Sequence, residues 1–387
     1  MTTMQLSQQS LLSLARDDPP WLREKRLRAW DSFSQADKAP FLKYGLSILT
    51  PLDGLIPEEI ESSGNILSCE APAGVQVSRS PSDQRIFSSL GQDRFASLHT
   101  AFCTDILHIR VPDHTELSAP VILRKTMGGR SFFEHVFIEL GKNCKAAVLD
   151  SLDGHGGLHS GGTEIFLGEG SSLLFAGAQN LSPETNSVSL RTARLQKDAT
   201  LTWLTVDEGS RLTLSRTGGV MAGQGSSLFT KMMVYGTGQQ HFDLNISSVH
   251  AAPDTVSDIV LKSVLDGRAR MVANGLVRIE KNAPRSNGYQ KEDTLLLSPD
   301  AEAAPIPNLE IDNNDVRCTH GTTVGQIDKN ILFYLMARGL DRETATRLVV
   351  AGFFEPLIAG IPLQQLQEEV RATVQRKLAE RRPEEDE

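Results

Sequence analysis

Cysteine is scarce in this 387-residue chain. Cys69, Cys103, Cys144 and Cys318 stand apart, and none forms a C-x-x-C pair. A disulfide framework needs more cysteines in a much shorter chain, so these four read as thiols in a reducing compartment, either buried or chemically employed. Basic charge is also short. The 39 Lys and Arg are outnumbered by 48 Asp and Glu, for a net charge of −9, without the basic surplus of a nucleic-acid or anionic-membrane binder. Long apolar runs are missing. Residues 1–18 hold no signal-type apolar stretch and end in Arg16-Asp17-Asp18; the most apolar later run, 348–363, contains Glu355 and Pro356 and is too short to span a bilayer. A cytoplasmic protein is expected. The chain also lacks a G-x-S-x-G elbow, a Walker lysine loop and an H-E-x-x-H motif, which removes the commonest sequence signs of hydrolase, nucleotide and zinc-protease chemistry.

What is present divides into segments. Hydrophobic residues make up 40% of the chain, enough for a sizeable core and two or three structural units. Residues 1–70 read as a helical, peripheral region. Apolar residues recur at helical intervals over 7–14 and again in Trp21, Leu22, Leu27, Trp30 and Phe33, with Pro19-Pro20 separating the two runs. Beyond Pro40 the chain becomes irregular, punctuated by Pro51 and Pro57. Residues 75–317 read as strand, in short stretches of alternating apolar and polar residues with Gly, Ser, Asp and Asn between them. Turn positions 112, 141, 168, 197 and 223 each follow a short strand and are 29, 27, 29 and 26 residues apart. One such unit is too small to bury its apolar face, whereas stacked units share one. A propeller blade needs about 40 residues, so the period favours a β-solenoid over a propeller, and its regularity favours it over a sandwich. In that frame Gly168-Glu169-Gly170 and Gly223-Gln224-Gly225 are turns, not phosphate cradles.

Residues 318–382 read as a C-terminal helical domain. Asp328 caps a helix with Ile331, Leu332 and Leu335, stopped at Gly339. Asp341 caps a second with Ala345, Leu348 and Val349, followed by Gly352. A third begins near Pro362 and carries Leu363, Leu366, Val370, Val374 and Leu378. The tail, 383–387, is charged and reads as disordered, as do Arg381 and Arg382 before it.

Few residues read as chemistry. His155 and His159 are four apart in a glycine-rich stretch that argues against a helix, so they read as part of a mobile loop. His241 and His250 flank a strand and read as structural or exposed. Cys318 and His320 are two apart, and in an extended segment both project to one side. Together they could ligate one iron or zinc ion, or the imidazole could lower the thiol pKa. Two ligands leave a tetrahedral site incomplete, and a buried thiol beside a satisfied histidine is the plainer alternative.

A longer pattern surrounds that pair. The runs 295–298, Pro307-Asn308-Leu309-Glu310-Ile311 and Asp315-Val316-Arg317-Cys318-Thr319-His320-Gly321-Thr322-Thr323-Val324-Gly325 resemble the signature of the SufB/SufD family of iron–sulfur cluster assembly scaffolds. The likeness continues through Phe333-Tyr334-Leu335, Arg338-Gly339 and Gly352-Phe353. Upstream it includes His250, Pro253-Asp254-Thr255, Lys262 and Asn274-Gly275, and Pro20-Trp21-Leu22 to Trp30 is similar to the helical start of SufD-type chains. The resemblance implies a mainly β chain: a right-handed parallel β-helix flanked by N-terminal and C-terminal α-helical regions. It implies a non-catalytic subunit working with a SufC-type ATPase and a SufB-type scaffold. It implies an iron–sulfur cluster or iron, transient and shared with a partner chain, at Cys318 and His320. Phe333, Leu348, Phe353, Phe354 and Leu357 are the candidate docking residues for the ATPase. A SufD-type subunit is expected over a SufB-type one, because the chain is short and lacks the additional cysteine-rich N-terminal region. The rival from another class is a β-solenoid carbohydrate-active enzyme using Asp150, Asp153 and Glu164, which show no repeat-aligned pattern.

Overall fold

Period-two alternation becomes strand and the 3.6-residue stripes become helix in a computed structural model, which describes residues 3–36, 50, 55–61, 63–80, 83–361 and 364–380. Pro40, Pro51, Pro362, Leu363, the tail and its disorder fall outside the described residues. The chain opens with β1 (Thr3–Gln5), α1 (Gln8–Leu14) and α2 (Pro20–Gln35), then β2 (Glu59–Glu61), β3 (Ile66–Glu70), β4 (Gln76–Ser78) and α3 (Arg94–Phe102). Sixteen strands follow: β5 (Asp105–Val111), β6 (Val121–Met127), β7 (Ser131–Leu140), β8 (Lys145–Gly154), β9 (Leu158–Leu167), β10 (Ser172–Leu181), β11 (Asn186–Leu195), β12 (Thr200–Asp207), β13 (Leu212–Met221), β14 (Ser227–Gly236), β15 (His241–His250), β16 (Val256–Leu265), β17 (Arg270–Ile279), β18 (Asn287–Leu296), β19 (Glu302–Ile311) and β20 (Arg317–Gln326). The chain closes with α4 (Lys329–Ala337), α5 (Arg342–Ile358) and α6 (Gln364–Glu380).

From β5 onward, odd strands stack in one sheet and even strands in the other, each pairing in parallel with the strand one turn away. The result is a parallel β-solenoid of about eight turns with helices at both ends. Within the two solenoid sheets only β3 and β4, at the head, pair antiparallel; β1 and β2 form a separate antiparallel pair. The expected turn positions 112, 141, 168, 197 and 223 fall within two residues of the ends of β5, β7, β9, β11 and β13. The period has a backbone cause just beyond them. His114, Asn143, Gly170, Asp198, Gly225 and Asp254 all take positive φ, a region that Gly, Asn and Asp tolerate best. Each donates its N–H to a carbonyl in the next turn, as Asn143 does to Glu169 at 2.8 Å and Asp198 to Gln224 at 2.9 Å. The glycine pairs are therefore corners.

Alternate side chains fill the interior in columns. Leu173, Leu201 and Leu228 lie in register, and Phe175 meets Trp203 edge-on with ring centroids 5.0 Å apart. Every one of these is buried.

Helices cover the two outer faces. Ser7 caps α1 through its side chain, and Pro20 occupies the first turn of α2, where its missing N–H costs nothing. Leu11, Leu22 and Phe33 pack in one cluster with α3 and the outer face of the odd sheet at Phe137, Leu158 and Val188. α3 interrupts the segment read as strand. It is buried on nearly every side, Ser97, His99 and Thr100 included with its apolar residues, so its burial does not follow an apolar stripe. At the other end the strands run past the expected boundary at 317: β20 places 317–326 in the solenoid, with the helices following.

Asp328 and Asp341 cap α4 and α5 as expected, and Gly339, at φ 95°, ends the first. Gly352 does not end the second. α5 continues through Pro356 to Ile358, because burial of Phe354, Leu357 and Ile358 against the even sheet outweighs local breaking signals. Val370, Val374 and Leu378 of α6 join that cluster.

Replacing Leu201, 0% exposed at the centre of its column, with Ala should cost about 2–5 kcal/mol. Thermal unfolding checks this, and an unchanged midpoint would place Leu201 outside the interior.

Candidate functional site

The site grows out of the even sheet's last strand. Three interior columns run up that sheet, and all become polar at its end. Leu201, Leu228, Ser257 and Gly288 lead to Cys318. Trp203, Thr230, Ile259 and Gln290 lead to His320. Thr205, Met232, Leu261 and Glu292 lead to Thr322. β20 is terminal in its sheet, with β18 below and no strand beyond it among the described residues. Cys318 and His320 therefore share one face of an open-ended turn. Cys318 is half-buried at the edge of the last core cluster, as Leu309 and Val316 are, while His320 is exposed.

Gly288 brings a second histidine close. A Cβ there would lie 3.2 Å from Cys318 Sγ and 3.6 Å from His250 Nε2. His250 is buried and held by Thr255 and Ser257 hydroxyls, each at 2.8 Å. Burial pushes its pKa down to about 4, opposed by the Thr255 contact, so at neutral pH it is an uncharged structural support. Burial raises the Cys318 thiol above its ordinary value, opposed by a hydrogen bond from the Thr319 backbone. The resting group is a protonated thiol, and a metal ion must displace that proton to bind.

Below this pair lies a buried polar couple. Gln290 Nε2 donates to Glu292 Oε1 at 2.6 Å. Burial pushes the Glu292 carboxyl up to about 7, against the lowering effect of Gln290.

Comparison with known proteins decides the family. The SUF system FeS cluster assembly, SufBD core domain, matches residues 123–353, more than half of the chain. The chain belongs to the SufBD family. A SufBD family iron–sulfur cluster assembly protein of Mycobacterium bovis is 32% identical over 222 residues, covering 57% of this chain and 26% of the relative. The Bacillus subtilis SufD is 26% identical over 296 residues, 74% of this chain and 67% of the relative. SufB of the same organism is 27% identical over 282 residues, 70% and 60%. The match thus spans about a quarter of the mycobacterial relative's length. The two Bacillus figures lie too close to separate the SufD and SufB types by identity. No described helix is long and apolar enough to cross a membrane.

The expected docking residues do not form one face. Phe354 and Leu357 are buried beneath the C-terminal helices, which takes them out of any surface. Phe353 is half-buried: its ring carries the Lys262 ammonium 4.5 Å from its centroid, and its carbonyl accepts from Lys262 Nζ at 2.5 Å. Lys262 thereby fastens α5 to the even sheet. Phe333 is 74% exposed and Leu348 54%. α4 buries none of its residues, and Ile331, Tyr334 and Met336 are exposed with Phe333.

The loop expected around His155 and His159 is a short link followed by strand. His159 lies in β9, facing inward, and contacts Ser187 at 3.1 Å and Glu134 at 3.4 Å. It belongs to an interior ionic group that sequence patterning missed. Lys125 there bridges Glu134 at 3.0 Å and Asp150 at 2.9 Å. A second buried group joins His99 of α3 to His135 and Glu164 of the odd sheet. Their paired members lie 9 to 36 residues apart on different strands and on α3, so only the folded chain reveals them. His241 and His250 are the first and last residues of β15, and both are buried.

These placements remove the carbohydrate-enzyme reading. Asp150 is ion-paired inside, Glu164 accepts from the backbone of Phe87 and Ser89, and Asp153 is exposed, so the three carboxylates share no cleft. Asp83, His108 and Glu139 form the one compact group of potential metal donors among the described residues. The Arg85 guanidinium already bridges Asp83 at 2.5 Å and Glu139 at 3.0 Å, so that group holds its own cation.

The Glu292 carboxyl gives a pH test. Its folded pKa of about 7 exceeds the ordinary 4.5, so its favourable contribution is complete below 4.5 and is lost as pH rises through 7. In chelated buffer, Glu292→Gln should therefore gain stability relative to the native chain as pH climbs from 4.5 to 7 and level off above it, by about 1–3 kcal/mol in all. A difference in unfolding midpoint that stays constant from pH 4.5 to 8 would contradict the burial of this carboxyl.

Proposed function

We propose that this chain is a non-catalytic scaffold subunit of a SUF-type complex, supplying Cys318 and His320 to a nascent cluster site that a SufB-type chain completes. The observation that carries the reading is the position of the pair: two soft-to-borderline ligands on the terminal strand of an open solenoid end. A second chain stacking on that edge would pair the strand's free backbone groups and bring the missing ligands. A thiol held protonated in the free subunit suits a site that forms only in the assembled complex. Separating the chains would also part the ligands and release the cluster. The cluster or its iron is cargo here, transient and shared.

The exposed apolar face of α4, with Phe333 and Tyr334, and Leu348 on α5 is the docking surface for a SufC-type ATPase. Lys262 couples that surface to the solenoid. The SufD-type assignment is part of the same reading, with a SufB-type subunit as its alternative.

Co-expression with SufB-type and SufC-type chains tests it. Cys318→Ser and His320→Ala should leave the three-chain complex intact while its iron and sulfide content falls to that of a complex missing this subunit. Unchanged cluster content in both variants would remove the ligand role and leave the scaffold role. Phe333→Asp should weaken ATPase binding by about 2 kcal/mol or more, roughly thirtyfold in Kd, measured by titration calorimetry. An unchanged Kd would move the docking surface elsewhere.

A further inference from the structure

Glu292 stands where the two turns beneath it place Leu261 and Met232, and Gln290 stands above Ile259. Polar replacements in a buried column cost stability unless something satisfies them. Nothing described does so fully. Glu292 is 1% exposed and Gln290 0%, yet Glu292 Oε2 and Gln290 Oε1 have no hydrogen-bond partner among the described residues. The opposite strand makes room for them. Gly275, inward-facing on β17, has no Cβ; one there would sit 1.8 Å from Gln290 Nε2 and 2.6 Å from Glu292 Oε1. The missing Cβ of Gly275 thus makes room for the bonded Gln290 Nε2 and Glu292 Oε1, and the same buried couple carries two further oxygens without a partner among the described residues, one a carboxylate and one an amide carbonyl.

Hard oxygen donors of this kind suit a divalent cation completed by water. The next strand, about 4.8 Å up the ladder, presents Cys318, His320 and Thr322 above Gly288, Gln290 and Glu292.

We propose that Glu292 and Gln290 form an inner divalent-cation position in the last closed turn of the solenoid, one strand step beneath Cys318 and His320, where iron(II) is held before the outer pair takes it. The position belongs to this chain alone and needs no partner. The identity of the ion as iron(II) rests on the proposed scaffold role; the cation site does not.

The test uses the full chain without partners and manganese(II) as the probe, followed by paramagnetic resonance and calorimetry. The native chain should bind one manganese(II). Glu292→Gln, close in shape, should bind it at least about tenfold more weakly, and Gly275→Ala should do the same by pushing the Gln290 amide out of place. Asp83→Asn, in the surface group that Arg85 occupies, should change nothing. Native crystals soaked in manganese(II) should show anomalous scattering between Glu292 and Gln290, which keeps the test independent of how the variants fold. Equal affinity in native and Glu292→Gln chains overturns the proposal, as does an anomalous peak only at Asp83, His108 and Glu139. A chain that binds manganese(II) through Glu292 yet supports no cluster assembly keeps the cation site and removes the scaffold role. Assembly that depends on Cys318 without this binding does the reverse.

Discussion

Every part of the molecule depends on the parallel pairing of each strand with the strand one turn below. That pairing satisfies the backbone along both sheets and forces equivalent residues into columns. A column is stable when its members are apolar and interlock, as Leu173, Leu201 and Leu228 do. The same constraint makes an interior charge expensive, because it cannot reach water and must find its partner within a turn or two. Lys125, Glu134, Asp150 and His159 solve the problem by meeting one another. Glu292 has only Gln290, and it stands at the one end of the stack where the next layer is open.

A solenoid that stacks by strand pairing must end somewhere, and its ends expose edges. The head is closed by the antiparallel strands β3 and β4 and, on the outer face of the odd sheet, by α1, α2 and α3. Among the described residues, no strand pairs with the far end. The C-terminal helices do not cap it; α5 and α6 fold back across the outer face of the even sheet and bury Phe354, Leu357, Val370 and Val374 there. This choice leaves His320 exposed and Cys318 half-exposed, and puts α4, which buries none of its residues, close after them in the chain. Open edge and apolar helix are features a scaffold subunit would need together, one for a neighbouring solenoid and one for a motor.

Much of this architecture was legible in the chain. The 26–29-residue spacing of turns at 112, 141, 168, 197 and 223 is the solenoid repeat itself, because corner residues must recur once per turn. The caps at Asp328 and Asp341 were legible for the same local reason. α3 was not, since its burial takes in polar Ser97, His99 and Thr100 as well as its apolar residues, which nothing local announces. The continuation of α5 past Gly352 was not either, since tertiary burial overrode a local stop. The pair Cys318 and His320 could be picked out with the run 315–325, but its setting could not. Neither spacing nor composition reveals that the strand holding them is the last one.

The sequence alone determined the periodic strand, the terminal helices, the thiol–imidazole pair and, through the 315–325 run, the resemblance to SufBD scaffolds; each is a local pattern or a fixed spacing. Only the tertiary structure decided which residues stack across turns. Register joined Gly288 to Cys318 and Gln290 to His320, and the approach of the two sheets brought Gly275 to the Glu292 carboxyl, over turn lengths that vary from 26 to 32 residues. It also sorted the docking candidates, burying Phe354 and leaving Phe333 outside. Burial and register are sums over contacts distant in the chain, so no local pattern contains them.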